Sequence, residues 1–179
     1  MASPLVSRVL VCEPGRARQM NAGARASRGD TLLFLHADTR LPRRADQLII
    51  QALTQRVWGR FDIALSGRHP LLKMVAGAMN LRSRLTGIAT GDQAIFMTRQ
   101  AFNAVGGFPE QPLMEDIEMS ARLKRLSSPA CLGQRVMSSG RRWEHDGLWR
   151  TILLMWRLRY RYWRGVDSRA LTNHYRQVR

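Results

Sequence analysis

Two rhythms of apolar and polar positions replace each other along this chain. Residues 5–12 are mostly β-formers (Leu5, Val6, Val9, Leu10, Val11) and are broken by Pro14 and Gly15, which predicts a short strand. Residues 16–28 are rich in Ala, Arg, Gln and Met with Gly29 behind them, the composition and stop signal of a helix. The run TLLFL at 31–35 is short, apolar and bounded by polar residues, which fits a buried parallel strand. A helix is predicted over 45–57 and a strand over 60–66, where Phe61, Ile63 and Leu65 alternate with less apolar neighbours. Helical spacing returns at 70–85, with Leu72, Val75, Ala76, Met79 and Leu85 near one face. A loop carrying Gly87 and Gly91, a strand at 94–97 and a helix at 99–105 closed by Gly106 and Gly107 follow. Residues 116–126 read as a helix with acids in the first turn and Arg122, Lys124 and Arg125 near its end, as the macrodipole favours. A strand at 135–139, an amphipathic helix at 148–165 and a short helix at 167–175 complete the chain. Strands alternating with helices predict an α/β fold, a mostly parallel sheet flanked by helices. With no internal repeat or linker, 1–179 reads as one domain with a basic amphipathic helical segment at 148–179.

Charge is where composition alters this picture. The 179 residues carry 29 Lys plus Arg against 13 Asp plus Glu, a formal charge of +16, while the 45% hydrophobic content is ordinary for a globular chain. Collagen-like, low-complexity and disordered classes are excluded. The excess is nearly all arginine, which can grip a phosphate through a bidentate fork. Anionic partners are therefore favoured: nucleic acid, acidic lipid or phosphorylated small molecules. Nucleic acid ranks below the others because no helix-turn-helix, zinc-finger or RNA-binding signature is present. Cys12 and Cys131 form neither a disulfide framework nor a zinc spacing, and a reducing compartment is expected. The first residues lack a signal pattern, and no stretch of ~20 apolar residues could span a bilayer. The expected location is the cytoplasm, with membrane association left open by the helix at 148–165. There Arg150, Arg157, Arg161 and Arg164 share one face, and Trp149, Ile152, Leu153, Trp156, Tyr160 and Trp163 line the opposite side. That pattern suits a helix lying flat on an anionic membrane. It equally suits a helix packed on the sheet with snorkelling arginines.

Three constellations could carry chemistry. Asp38 follows the apolar strand at 31–35, and in open α/β sheets ligands sit beyond the carboxyl ends of strands. A carboxylate there could hold a hard divalent cation bridging to a diphosphate, with His36 assisting from the same side; equally, Asp38 caps the next turn and His36 is an ordinary exposed residue. Glu115 and Asp116 open a helix, where acids commonly cap. Approached by Leu113 and Met114, one of them would be partly desolvated, and desolvation makes a carboxylate a better base. Arg141 and Arg142 beside Trp143 could clamp a diphosphate and stack on a planar group, or form a solvated basic turn around one buried ring.

Taken in order, PGRARQMNAGA at 14–24, GDTLLFLHADT at 29–39, GDQAIF at 91–96, GGF at 106–108 and the Glu115-Asp116 pair resemble the family 2 glycosyltransferases. The resemblance is greatest to a small bacterial subgroup with this His-Ala-Asp-Thr ending, and it covers nearly the whole chain from Val9 onward. It implies a GT-A fold, a Rossmann-like sheet that binds a nucleotide-diphosphate sugar with Mg2+ or Mn2+. The family's Asp-x-Asp motif falls on His36-Ala37-Asp38, so metal binding is expected to rest mainly on Asp38, with His36 in place of the first Asp. The resemblance makes Asp116 the base that deprotonates an acceptor hydroxyl, with Glu115 assisting acceptor binding. It makes Arg16 and Asn21, on the helix at 15–23, contacts of the donor, and Asp92 and Gln93 substrate-binding residues. Arg142-Trp143 matches the Arg-Trp end of a motif of processive members, but Ser139 stands where those carry Gln, and processivity is not inferred. The implied reaction is a single inverting displacement at the anomeric carbon.

Members of that family begin with a strand–loop–helix–strand unit that holds the donor's base and ribose. Only eight residues precede Val9 here, so the first βαβ unit is expected to be missing and the fold to be N-terminally shortened. Two other readings stay open: a non-catalytic basic domain that binds an anionic membrane or nucleic acid, and an inactive truncated remnant.

Overall fold

The computed structural model describes residues 6–141, 143 and 147–177. Its elements are α1 (Arg16–Ala26), β1 (Thr31–Leu33), β2 (Thr39–Arg40), α2 (Ala45–Leu53), β3 (Trp58–Ser66), α3 (Leu71–Thr86), β4 (Phe96–Thr98), α4 (Arg99–Ala104), α5 (Glu115–Leu123), β5 (Ala130–Ser139), α6 (Leu148–Trp163) and α7 (Ser168–Gln177). A short 3-10 turn, Gly91–Gln93, precedes β4. Among the described residues no helix is long and apolar enough to cross a membrane.

Period-two alternation sends neighbouring strand residues into opposite layers. Leu32, Trp58 and Met97 join one apolar cluster with Ala17 and Ala24 of α1, Phe102 of α4 and Met119 and Leu123 of α5. Leu33, Phe61, Ile63 and Phe96 join the other with Ile49 of α2, Ala76 of α3 and Val136 of β5. The result is helix, sheet, helix. Trp58, Phe61, Ile63, Phe96 and Met97 are essentially inaccessible to water, and each contributes about 1.5–3 kcal/mol by its burial.

The sheet runs β1-β4-β3-β5-β2. It is mixed rather than mostly parallel: β1, β3 and β5 run one way, β4 and β2 the other, and β3–β5 is the one neighbouring pair that is parallel. Alternation of strands and helices sets the layers but not strand direction. Between β3 and β4 the chain spends both α3 and the loop at 87–95, and that loop provides an additional reversal. The parallel pair shifts register between Phe61 and Asp62. Beside that shift, the Asn80 side chain of α3 accepts from Ile63 N at 2.8 Å and donates to Ile63 O at 3.0 Å. Buried Arg60 pairs with Asp62, which also takes Arg84 Nη2 at 2.8 Å, so α3 is held on β3 by polar as well as apolar contacts.

Residues 6–12 form no strand; Val6, Val9, Leu10 and Val11 are exposed. β-propensity stabilises a strand only through neighbours it can pair with, and among the described residues none pairs with this segment. Two-residue β2, which the sequence pattern does not reveal, pairs Thr39 with Ser138, and β5 starts five residues earlier than its alternation indicates.

Candidate active site

The carboxyl end of β1 delivers His36 to a cleft whose other walls are α1, the 91–93 turn and the start of α5. Arg16 opens α1 and reaches both sides: its Nη2 lies 2.5 Å from His36 Nε2, and its Nε lies 3.2 Å from Glu115 Oε1. His36 Nδ1 lies 3.0 Å from Asp92 Oδ1. Gly91 N donates to Asp116 Oδ2 at 2.8 Å, and Ile117 N donates to Asp116 Oδ1 at 2.8 Å. Two backbone donors thus orient one carboxylate, while α5 begins at Met114 in a left-handed conformation that turns the chain sharply into the helix. Glycine at 91 leaves room for two side chains. A Cβ there would lie 2.5 Å from His36 Nε2 and 2.7 Å from Arg16 Nη2.

These residues border a hollow of about 590 Å³ floored by β1 and roofed by α1, with Arg16, His36, Gly91, Phe108 and Asp116 among its lining. Glu115 lies behind them, nearly inaccessible. Burial raises its pKa above the usual carboxylate range; neighbouring Asp116 adds to the rise and Arg16 opposes it. The Arg16 contact lacks hydrogen-bond geometry, so Glu115 Oε1 is buried without a hydrogen-bond donor.

The structure brings Arg16, His36, Asp92, Glu115 and Asp116 together and uses other expected site residues differently. Asn21 does not face the hollow. Its amide donates to Phe108 O at 2.8 Å and accepts from Phe108 N at 2.9 Å, pinning the Gly106–Gly107 turn to α1. Gln93 is wholly buried, and its Oε1 accepts from Thr90 N at 3.2 Å in a capping box. Trp143 packs against Leu72 and Val75 as part of an apolar cluster. Arg142 lies outside the described residues. Asp38 sits on the exposed turn between β1 and β2. Among the described residues, no three His, Cys, Asp or Glu side chains gather as a metal cluster.

Sequence reasoning missed two arginines near the carboxylates. Arg82 of α3 and Arg159 of α6 both feel the charge of Asp116. A signal existed for the first: Asn80 and Ser83 sit on the apolar stripe of α3, which marks that face as more than packing.

No protein-family model matches the chain, and no curated protein does. Among solved structures it is similar to the mannosyltransferase PcManGT from Pyrobaculum calidifontis, in complex with GDP-Man and Mn2+. The TM-score is 0.53 at 17% sequence identity, over 77% of this chain and 40% of the mannosyltransferase. The chain therefore shares the fold of that mannosyltransferase over the part matched: an α/β domain whose mixed sheet is flanked by helices.

Proposed function

We propose that this domain transfers a sugar from a nucleoside-diphosphate donor to an acceptor hydroxyl. The observation that carries the reading is the convergence of Arg16, His36, Gly91 and Asp116 on one hollow beyond a strand's carboxyl end, in a glycosyltransferase-type fold. Arg16 lies at the mouth with its side chain half exposed. Its guanidinium is suited to a diphosphate, for which it would exchange its contact with His36. Asp116 takes the proton from the acceptor hydroxyl. That oxygen forms its bond to the anomeric carbon as the bond to the diphosphate oxygen breaks, so the configuration inverts and the diphosphate leaves with the electron pair. Burial and the neighbouring Asp116 charge raise the pKa of Glu115, which favours its neutral form beside the proposed base.

A divalent cation fits this site only in part. Mg2+ and Mn2+ keep water and substrate phosphate oxygens as most of their ligands, so one or two carboxylates suffice. Asp38 would supply one carboxylate from the exposed turn after β1, outside the lining of the hollow, whereas both ring nitrogens of His36 already face Arg16 and Asp92. When bound, the cation neutralises the leaving diphosphate. Titration calorimetry with GDP and with UDP, each with Mn2+, tests the donor reading; no heat with either nucleotide in folded protein would reject it. Asp116→Asn is expected to keep donor binding and to lower transfer by about 100-fold or more. Unchanged transfer would remove Asp116 from the role of base.

A second reading, docking on an anionic membrane, is favoured by one surface. Trp149, Leu153, Trp156, Tyr160 and Trp163 form a stripe along α6 and are 59–77% exposed. The helix packs through other residues, with Leu158 buried and Leu154, Met155 and Tyr162 against α5 and α7. Exposed Arg150, Arg157 and Arg164 flank the stripe, and no Asp or Glu occurs from Gly147 to Val166. A second copy laid on this face would meet its own charge, whereas acidic headgroups meet the arginines while Trp and Tyr settle at the interface. Flotation with phosphatidylglycerol vesicles is expected to carry the protein up, and phosphatidylcholine alone is not. Trp156→Ala with Trp163→Ala should abolish flotation; retention by the double variant would count against the stripe.

A further inference from the structure

A second hollow, of about 780 Å³, opens between α3, α5 and the α6–α7 junction, and it shares no lining residue with the first. Arg82 and Arg159 line it together, beside Gln111, Glu118 and Tyr162. Nε and Nη2 of Arg82 are buried without a hydrogen-bond partner among the described residues. Neither arginine has an ion pair among the described residues. Two acids line this wall and both are engaged: Glu118 takes Arg122 Nε at 2.9 Å and accepts from the Tyr162 hydroxyl at 3.4 Å, and Asp167 Oδ1 accepts from Arg169 N at 2.7 Å. Burial pulls the Arg82 pKa down to about 10, helped by repulsion from Arg159 and Arg60 and resisted by Asp116. Burial likewise lowers that of Arg159, against the pull of Asp116 and Asp92.

Two desolvated guanidinium groups that repel each other are an expense to the fold, and folded chains normally place a carboxylate between such groups. An empty place for an anion between two arginines is how proteins prepare to recognise one. Position adds meaning. Asp116 lines the first hollow, and its charge reaches both arginines of the second. An acceptor could therefore hold its hydroxyl at Asp116 and its charge in the second hollow.

We propose that Arg82 and Arg159 form an anion subsite that grips a phosphate or carboxylate group of the acceptor. The word acceptor rests on the glycosyl-transfer reading above; the anion subsite does not. A phosphate could arrive on a soluble phosphomonoester or on a lipid headgroup, and the chemistry of the grip is the same.

The test is calorimetric titration of inorganic phosphate into the full chain. Wild type binds. Arg82→Gln and Arg159→Gln each weaken binding by about 10- to 100-fold, the range for losing charge-assisted hydrogen bonds. Arg125→Gln, which removes an equal charge from the exposed turn after α5, leaves binding unchanged. Arg82→Lys guards against misfolding: it keeps the charge and loses the fork, so it falls between wild type and Arg82→Gln. Arg82→Gln should melt no lower than wild type, because it removes a buried charge with no ion pair among the described residues, and phosphate should raise the melting temperature of wild type and Arg125→Gln but much less that of Arg82→Gln. Glycerol phosphate competing for the site identifies a soluble acceptor; phosphatidylglycerol vesicles losing affinity for Arg82→Gln, with glycerol phosphate inert, identify a lipid headgroup. Both outcomes support the subsite. Equal phosphate binding by wild type and both Gln variants overturns it, as does no binding by folded wild type. Phosphate binding without GDP or UDP binding would reject the donor reading and leave the subsite standing; the converse would do the reverse.

Discussion

Gly91→Ala separates the site from the fold more cleanly than removal of any charged residue. The added methyl would sit 2.5 Å from His36 Nε2 and 2.7 Å from Arg16 Nη2, where ordinary contact begins at 3.4 Å. The groups in the way are two side-chain ends, not backbone, so the overlap is relieved by moving them about 1 Å. Overpacking of this kind costs about 1–3 kcal/mol, and for a chain of this size each kcal/mol is a melting shift of about 2–4 °C. A misplacement of about 1 Å in a catalytic constellation costs on the order of 100-fold in rate. The variant should therefore stay folded, with circular dichroism unchanged and a melting temperature lower by about 2–12 °C. Donor binding by calorimetry and transfer should both collapse. Gly77→Ala is the matched control. Its Cβ meets nothing within 4 Å inside α3, and it should raise stability by about 0.5–1 kcal/mol without touching the site. If Gly91→Ala bound donor and turned over like wild type, the geometry of Arg16, His36 and Gly91 would be irrelevant to function and the site assignment would be wrong.

Three further outcomes follow from the same geometry. Glu115 has a folded pKa raised above its unfolded value, so the protonated state favours folding and stability declines as pH rises from the unfolded value through the folded one; Glu115→Gln should melt higher than wild type at neutral pH, with the gap closing below about pH 4. A constant gap across pH would place the origin of the effect elsewhere. Asn21→Ala removes the partners of both Phe108 N and Phe108 O, and two orphaned buried groups cost about 2–6 kcal/mol in urea unfolding; a loss below about 0.5 kcal/mol would refute the pin. Asp38→Ala should weaken Mn2+-dependent nucleotide binding while leaving metal-free nucleotide binding unchanged, and equal binding in both conditions would exclude Asp38 as a metal ligand.

Much of this molecule could be read from residues close together in the chain. Helical spacing at 71–86 and 148–163, the glycines after α4 and the acids at the start of α5 each report a local preference, and the structure places those elements within a few residues of expectation. The convergence of Arg16, His36, Glu115 and Asp116 has a local basis too, because each stands at or just beyond the end of an element. Fates decided between distant residues were not legible. Asn21 and Gln93 resemble ligands in sequence, yet one pins Phe108 and the other caps its own turn, because a buried amide takes the nearest backbone partner.

Local pattern thus settled which segments are helices and strands, and which face of each is apolar. Only the assembled chain determined that β4 enters antiparallel, that residues 6–12 pair with no strand among the described residues, that the α6 aromatics face outward, and that Arg82 and Arg159 line one hollow. The reason is physical: propensity and periodicity are properties of a few consecutive residues, whereas pairing, burial and the field of one charge on another depend on which remote segment packs alongside.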